Sequence, residues 1–177
     1  MNRTGIDWGN MENTWYSFSS PVDAVRVLVG MSPQHQFVVL TKRPETIPPG
    51  WNDDVPNLWV GISDTCRYGN DDRLRRVFLK RIMKRRVLCI EPLLGYPEVA
   101  QLDDYDWVIV GGLTGNTTLR PLPETMLHWV ECVMADCESQ EVPVFLKRNL
   151  APEVPMQYIM AHREYPPELA EVKGGKA

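Results

Sequence analysis

Glu91 closes the run "RRVLCIEP", where a stretch of strand type (Val87, Leu88, Cys89, Ile90) meets a carboxylate and then a proline. A glutamate in that position can accept hydrogen bonds from a ligand's hydroxyl or amine, or move a proton if burial raises its pKa. It can also plug the end of a sheet as an ion pair with Lys42 or Lys147. Four further apolar runs end in the same manner: Thr41, Lys42 and Arg43 follow "QFVVL", Ser63 and Asp64 end "NLWVGI", Gly111, Gly112 and Thr114 follow "DWVIV", and Lys147 and Arg148 follow "VPVFL". The cations suit an anionic group. The Gly111-Gly112 pair offers backbone amides to a phosphate, carboxylate or ribose, or makes only a tight turn. It lacks the G-x-G-x-x-G fingerprint and the Walker lysine pattern, so no dinucleotide or nucleoside triphosphate is implied.

A second feature is basic. Residues 73–86 hold eight Lys or Arg among fourteen. Around a helix these basic residues would spread over a wide face opposite Leu74, Val77 and Phe78, with Arg75, Arg76 and Arg85 as candidates to contact nucleic-acid phosphate or an acidic protein partner, or the face is simply solvated and balanced by Asp71, Asp72 and "LDDYD". His35, His128 and His162 are too far apart for a metal motif, and Cys66, Cys89, Cys132 and Cys137 have no C-x-x-C spacing, so a metal is not expected. No G-x-S-x-G elbow is present.

The elements that must position these residues alternate. The five runs are short and rich in β-branched or aromatic residues, the pattern of parallel strands buried on both faces. "SPVDAVRVLVGM" predicts a helix with Ser20 as N-cap and Pro21 in its first turn. "NDDRLRRVFLKRIMKRR" places Leu74, Val77, Phe78 and Ile82 on one stripe, and "LPETMLHWVECVMADC" does so with Met126, Trp129, Val130 and Val133. A short helix is expected near "YPEVAQL". The sum is an α/β fold, either a partial (β/α) barrel or an open, mainly parallel sheet of about five strands with flanking helices. Five units fall short of the eight of a closed barrel, so exposed edges would call for a homo-oligomer or a companion polypeptide.

With 177 residues, one α/β domain is expected over 1–177, comprising an irregular N-terminal segment (1–19) and a wrapping or frayed C-terminal tail (150–177). A hydrophobic content of 44%, a charged content of 24% and a net charge of −4 describe a globular protein that is not a polycation. No apolar run is long enough for a bilayer and the first residues lack a signal-peptide pattern, so a cytoplasmic protein without membrane contact is expected.

Taken in order, "PQHQFVVLTKRPE", "NLWVGISD", "VLCIEPLLG", "DWVIVGG", "VPVFLKR" and "HREYPP" resemble the later part of phage- and prophage-borne proteins of unassigned activity that look like radical S-adenosylmethionine enzymes. The likeness runs from Pro33 to Pro167. It implies a barrel of the radical type, with Thr41, Lys42, Arg43, Glu91, Pro92, Gly111 and Gly112 at matching motif positions. The chain departs from that pattern in four ways, one being that the family's opening strands are absent. It has no C-x-x-x-C-x-x-C motif and no cysteine before Cys66, Leu113 replaces an acid usual after the glycine pair, and Arg148 replaces a glutamine. Three clustered thiolates are what would hold a [4Fe-4S] cluster. The resemblance therefore implies a strand-end pocket without a cluster, with S-adenosylmethionine and [4Fe-4S] entering only if a partner chain supplies the three-cysteine motif.

Overall fold

The computed structural model describes residues 20–67, 77–78, 83–97, 102, 104–115 and 118–169. Within them a helix, α1 (Pro21–Gly30), precedes four strands, β1 (Phe37–Thr41), β2 (Leu58–Asp64), β3 (Arg86–Ile90) and β4 (Trp107–Val110). Helix α2 (Pro123–Ser139), strand β5 (Val144–Leu146) and helix α3 (Met156–Ala161) follow. The strands form one five-stranded sheet in the order β1-β2-β3-β4-β5, and every pairing is parallel. Each strand is laid beside its predecessor, so among the described residues the sheet is open rather than closed into a barrel, and all five carboxyl ends lie along one rim. The expected open parallel sheet with flanking helices is the observed fold.

Helices cover one face. Val29 of α1, Phe78, and Met126, Val130, Val133 and Cys137 of α2 share a buried core with Leu58, Val60, Ile62, Leu88, Ile90, Val108, Val110, Val144 and Leu146. The α2 stripe is as predicted except that Trp129 is half-buried and Cys137 takes the fourth buried place. Ser20 caps α1 by accepting the Asp23 N–H at 3.2 Å. At the other end of that helix, the buried Asn57 amide lies 2.9–3.0 Å from the carbonyls of Val29, Ser32 and His35, tying the turn after α1 to the start of β2.

The opposite face carries a second, smaller apolar cluster. Trp59, Val87 and Trp107, near the amino ends of their strands, pack with Leu169, Tyr165 and Phe145. Trp107 meets Trp59, Phe145 and Tyr165 at centroid separations of 6.3, 6.1 and 5.7 Å, contacts worth about 0.5–1.5 kcal/mol each beyond area burial. Residues 162–164 run antiparallel along β5, with the Leu146 N–H bonded to the His162 carbonyl and the Glu164 N–H to the Val144 carbonyl, and so close that edge. The part of the expected C-terminal tail that is described, through Leu169, contributes α3 and the buried Leu150, Val154 and Ile159.

Two expectations need correction. The basic helix does not continue to Arg86: Lys84 and Arg85 form a bend, Arg85 takes φ +51°, and Arg86 opens β3. The buried Asn52 causes this, because its side chain accepts the Lys84 N–H at 3.2 Å and donates to the carbonyls of Lys84 and Leu58, tying the bend to the start of β2. Not every strand is buried on both faces either. Strand β1 alternates, leaving Val38 and Leu40 exposed on the face opposite the helices. The helix expected near Tyr96–Leu102 falls largely outside the described residues.

Candidate site at the carboxyl rim

Toward the carboxyl rim, the face opposite the helices carries Gly61, Ser63, Cys89 and Glu91, because strand residues two apart point the same way; Gly61 and Cys89 are buried and Glu91 is partly exposed. Lys147 is bound to this rim by its backbone N–H, which donates to the Val110 carbonyl at 2.8 Å, and Gly111 likewise to the Ile90 carbonyl at 2.9 Å. The ladder hydrogen bonds therefore bring the first residues beyond β3, β4 and β5, namely Glu91, Gly111 and Lys147, side by side.

Their side chains meet. The Lys147 Nζ lies 2.7 Å from Glu91 Oε1 and 2.7 Å from Oε2, straddling the carboxylate. Asn149 Nδ2 donates to Glu91 Oε1 at 2.8 Å. The same Asn149 amide pairs reciprocally with Gly112, donating to its carbonyl at 2.9 Å and accepting its N–H at 3.1 Å. Below the carboxylate, the Cys89 thiol sits 3.8 Å from Oε2. Burial, and then the neighbouring Glu91 charge, push that thiol up to about 12, so it stays protonated at neutral pH and is a donor rather than a nucleophile. Ser63 Oγ donates to the Glu91 carbonyl at 3.3 Å. The Glu91–Pro92 peptide is cis. The side chains of Lys147 and Glu91 retain 40% and 25% of their exposure, so the pair is fixed from beneath yet open to solvent on the rim.

Both glycines are required by close approach. Neither has a positive φ, but a Cβ on Gly111 would stand 2.7 Å from Glu91 Oε1 and one on Gly112 would stand 2.5 Å from the Asn149 carbonyl oxygen. Their amides are engaged by Ile90 and Asn149, so the anticipated contact between these amides and a ligand is replaced by contacts within the protein. Gly111→Ala should displace the Glu91 carboxylate without unfolding the chain, since the obstructing atoms belong to a side-chain end. We expect Lys147 to react several-fold faster with acetic anhydride in that variant, followed by mass spectrometry, with an unchanged circular dichroism spectrum; an unaltered Lys147 rate would show that the carboxylate had not moved.

The other predicted residues divide. Asp64 is buried and accepts the Cys66 N–H at 2.8 Å, turning the chain after β2. Thr41 accepts the Arg43 N–H at 2.9 Å in a similar turn. Arg43 is corrected as a pocket cation: it extends into solvent toward Glu45, 3.4 Å away. Lys42 and Thr114 are exposed on the loops after β1 and β4, and no hydrogen bond or ion pair joins them to Glu91 among the described residues. Of the two candidate ion-pair partners of Glu91, the structure selects Lys147. Arg75 and Arg76 lie outside the described residues, and Arg85 has left the helix for the bend at the opposite end of the sheet. Among the described residues no three His, Cys, Asp or Glu side chains are grouped to hold a metal. Of the four cysteines, Cys66 lies in the turn after β2, Cys89 on β3, and Cys132 and Cys137 both on α2.

Residues 18–157 match the sequence profile of a family described as proteins of unknown function, DUF5131. The chain belongs to that family. No curated protein and no solved structure matches it. The DUF5131 match extends from just before α1 into α3 and so includes every strand and the Glu91, Lys147 and Asn149 set. Sequence reading missed Asn149, and it treated Cys89 only as an incidental thiol. The one signal for Asn149 in the sequence was its place two residues beyond Lys147, a spacing that the short turn at Arg148–Leu150 converts into contact with Gly112 and Glu91.

Proposed function

We infer that this DUF5131 chain binds a small polar or anionic ligand at the carboxyl rim of its sheet. The reading rests on one observation: a cation and a carboxylate, held together from below by Asn149 and Cys89, remain partly exposed where open parallel sheets bind ligands. Lys147 would take the ligand's anionic or acceptor group, Glu91 its hydroxyl or amine, and Lys42 on the neighbouring loop would add charge from the β1 side. Because Glu91 and Lys147 already neutralise one another, the arrangement favours a ligand that offers an acceptor beside a donor over a bare anion.

In this reading the chain is a phage-type protein corresponding to the C-terminal portion of a radical-S-adenosylmethionine-like barrel. The exposed β1 side would adjoin further wall supplied by a companion polypeptide, and cluster chemistry would belong to that companion if it carries the three-cysteine motif. No step is assigned to such a group, since this chain's donor set does not fit it. Titration calorimetry with inorganic phosphate and with S-adenosylmethionine tests the pocket. A hydrogen bond to a charged group contributes about 1.5–3 kcal/mol, so Lys147→Ala should weaken binding by roughly tenfold to over a hundredfold. Glu91→Gln should weaken the ligand that carries a donor and affect phosphate less. Wild-type affinity in both variants, for either probe, would remove the rim as the binding site.

A further inference from the structure

Asn149 lies outside every motif and has no charge, yet it joins three strand ends. Its carboxamide takes the place of a peptide unit beside Gly112, accepting that residue's N–H and donating to its carbonyl at 3.1 and 2.9 Å, and so continues the β4–β5 ladder beyond Leu146 by way of a side chain. The remaining direction of the same Nδ2 is used on Glu91 Oε1 at 2.8 Å. Gly111 leaves room for that carboxylate, and Gly112 lets the Asn149 backbone approach. Every hydrogen-bonding atom of the Asn149 side chain therefore has a partner, and the orientation of the amide is set: reversing it would oppose two donors at Gly112 N–H and two acceptors at Glu91.

The geometry points to Asn149 as the positioning residue of the rim, holding Glu91 in the rotamer that presents it with Lys147. Lys147 is long and flexible and can follow a carboxylate that moves, whereas Asn149 is short and anchored on both sides of the Gly112 peptide. This role deepens the pocket reading and rests on it for its purpose, but the coupling itself can be measured without a ligand.

The decisive variant is Asn149→Asp, which changes the Nδ2 donor into an acceptor facing both Glu91 and the Gly112 carbonyl. The charged or titratable groups facing that position are Glu91 and Cys89 from β3 and Lys147 from the end of β5, with none from the glycine pair after β4. Two carboxylates with a single lysine between them retain a proton more firmly when folded than when unfolded. A folded-state affinity raised in this way contributes stability at low pH that is lost as pH climbs from the unfolded Asp value toward the folded one. The gap in unfolding midpoint between wild type and Asn149→Asp should therefore widen by about 3 °C from pH 3 to pH 7, for a shift of about one unit from the unfolded Asp value of about 3.9 in a domain of this size. Adding Glu91→Gln exchanges donor and acceptor and should abolish the widening. A gap that stays constant with pH, or that Glu91→Gln leaves in place, overturns the assignment.

Should Asn149→Asp not fold, Asn149→Leu serves with a different measurement. Hydrogen exchange at the Gly112 N–H should then accelerate at least about tenfold while the Lys147 N–H, bonded to Val110, keeps its protection. Equal protection of Gly112 in both proteins would sink the proposal. In the same variant, phosphate affinity should fall about as far as in Lys147→Ala. Failure of the wild type to bind phosphate would count against the pocket alone, because the ligand-free experiments decide the role of Asn149.

Discussion

Arg120→Ala should lower the unfolding midpoint by on the order of 10 °C, as removing one partner of a buried ion pair costs about 3–5 kcal/mol and each kcal/mol moves a domain of this size by about 2–4 °C. Arg120 Nη1 lies 2.7 Å from Glu153 Oε1, and the two side chains keep only 23% and 5% of their exposure. The arginine also donates through Nε and Nη2 to the Gly115 carbonyl at 3.1 and 2.7 Å. One guanidinium thus closes the loop after Gly112 on itself and fastens it to the segment that follows β5. Glu153 Oε2 is buried and has no hydrogen-bond partner among the described residues, so loss of the arginine strands the whole carboxylate away from water. Glu153→Leu in the same background removes that stranded charge and should recover most of the loss, since apolar replacement of a buried pair is often neutral. Thermal unfolding followed by circular dichroism measures both. If Arg120→Ala unfolds within 2 °C or so of the wild type, the pair is not what holds the loop.

Gly61→Ala should be as damaging, for a steric reason. Gly61 lies in β2 between Leu40 and Val87. A Cβ there would fall 2.7 Å from Val87 Cβ and 2.9 Å from Leu40 Cδ2, and closer still to the Val87 carbonyl oxygen. The last contact is with backbone in a ladder, which cannot yield without shifting β3. Overpacking a well-formed core costs about 1–3 kcal/mol and more where backbone must move, so a fall of about 5–10 °C or loss of soluble protein is expected. Gly30→Ala provides the contrast. A Cβ at that position in helix α1 would meet nothing within 4 Å, and the change should hold or raise the midpoint by about 1–3 °C, reflecting the poor helix propensity of glycine. A Gly61→Ala protein as stable as Gly30→Ala would contradict the tight packing of β2 against its neighbours.

These two substitutions, with those at the rim, separate positions that maintain the sheet from positions that equip its edge. Gly61 and Arg120 act on folding, and neither contacts Glu91. Gly111 and Asn149 act on the carboxylate. The same residue type serves both ends, and only the identity of the obstructing atom distinguishes them: the Val87 backbone for Gly61, the Glu91 side chain for Gly111.

Local sequence determined a good deal. Apolar runs of four to seven residues that become polar at their ends specify parallel strands, because a strand covered on both faces must be apolar throughout and its exit must meet water. The Ser20-Pro21 start and the Met126, Val130 and Val133 spacing specify α1 and α2 through capping and a period of 3.6, which are local properties. The placement of Glu91 and Lys147 at strand exits followed from the same runs. Tertiary structure alone decided three further matters. It chose Lys147 over Lys42 as the partner of Glu91, since that depends on which strand lies beyond Gly111, and sheet order is not encoded in any one run. It ended the basic helix before Arg86 through Asn52, a residue 32 positions from Lys84. It gave Asn149 its three partners, because one short turn after β5 carries it to two strand ends that the linear chain holds 37 and 58 residues away. Periodicity and capping act over a few residues and are legible in order; a side chain's partners depend on how distant strands are laid together, and packing alone sets that.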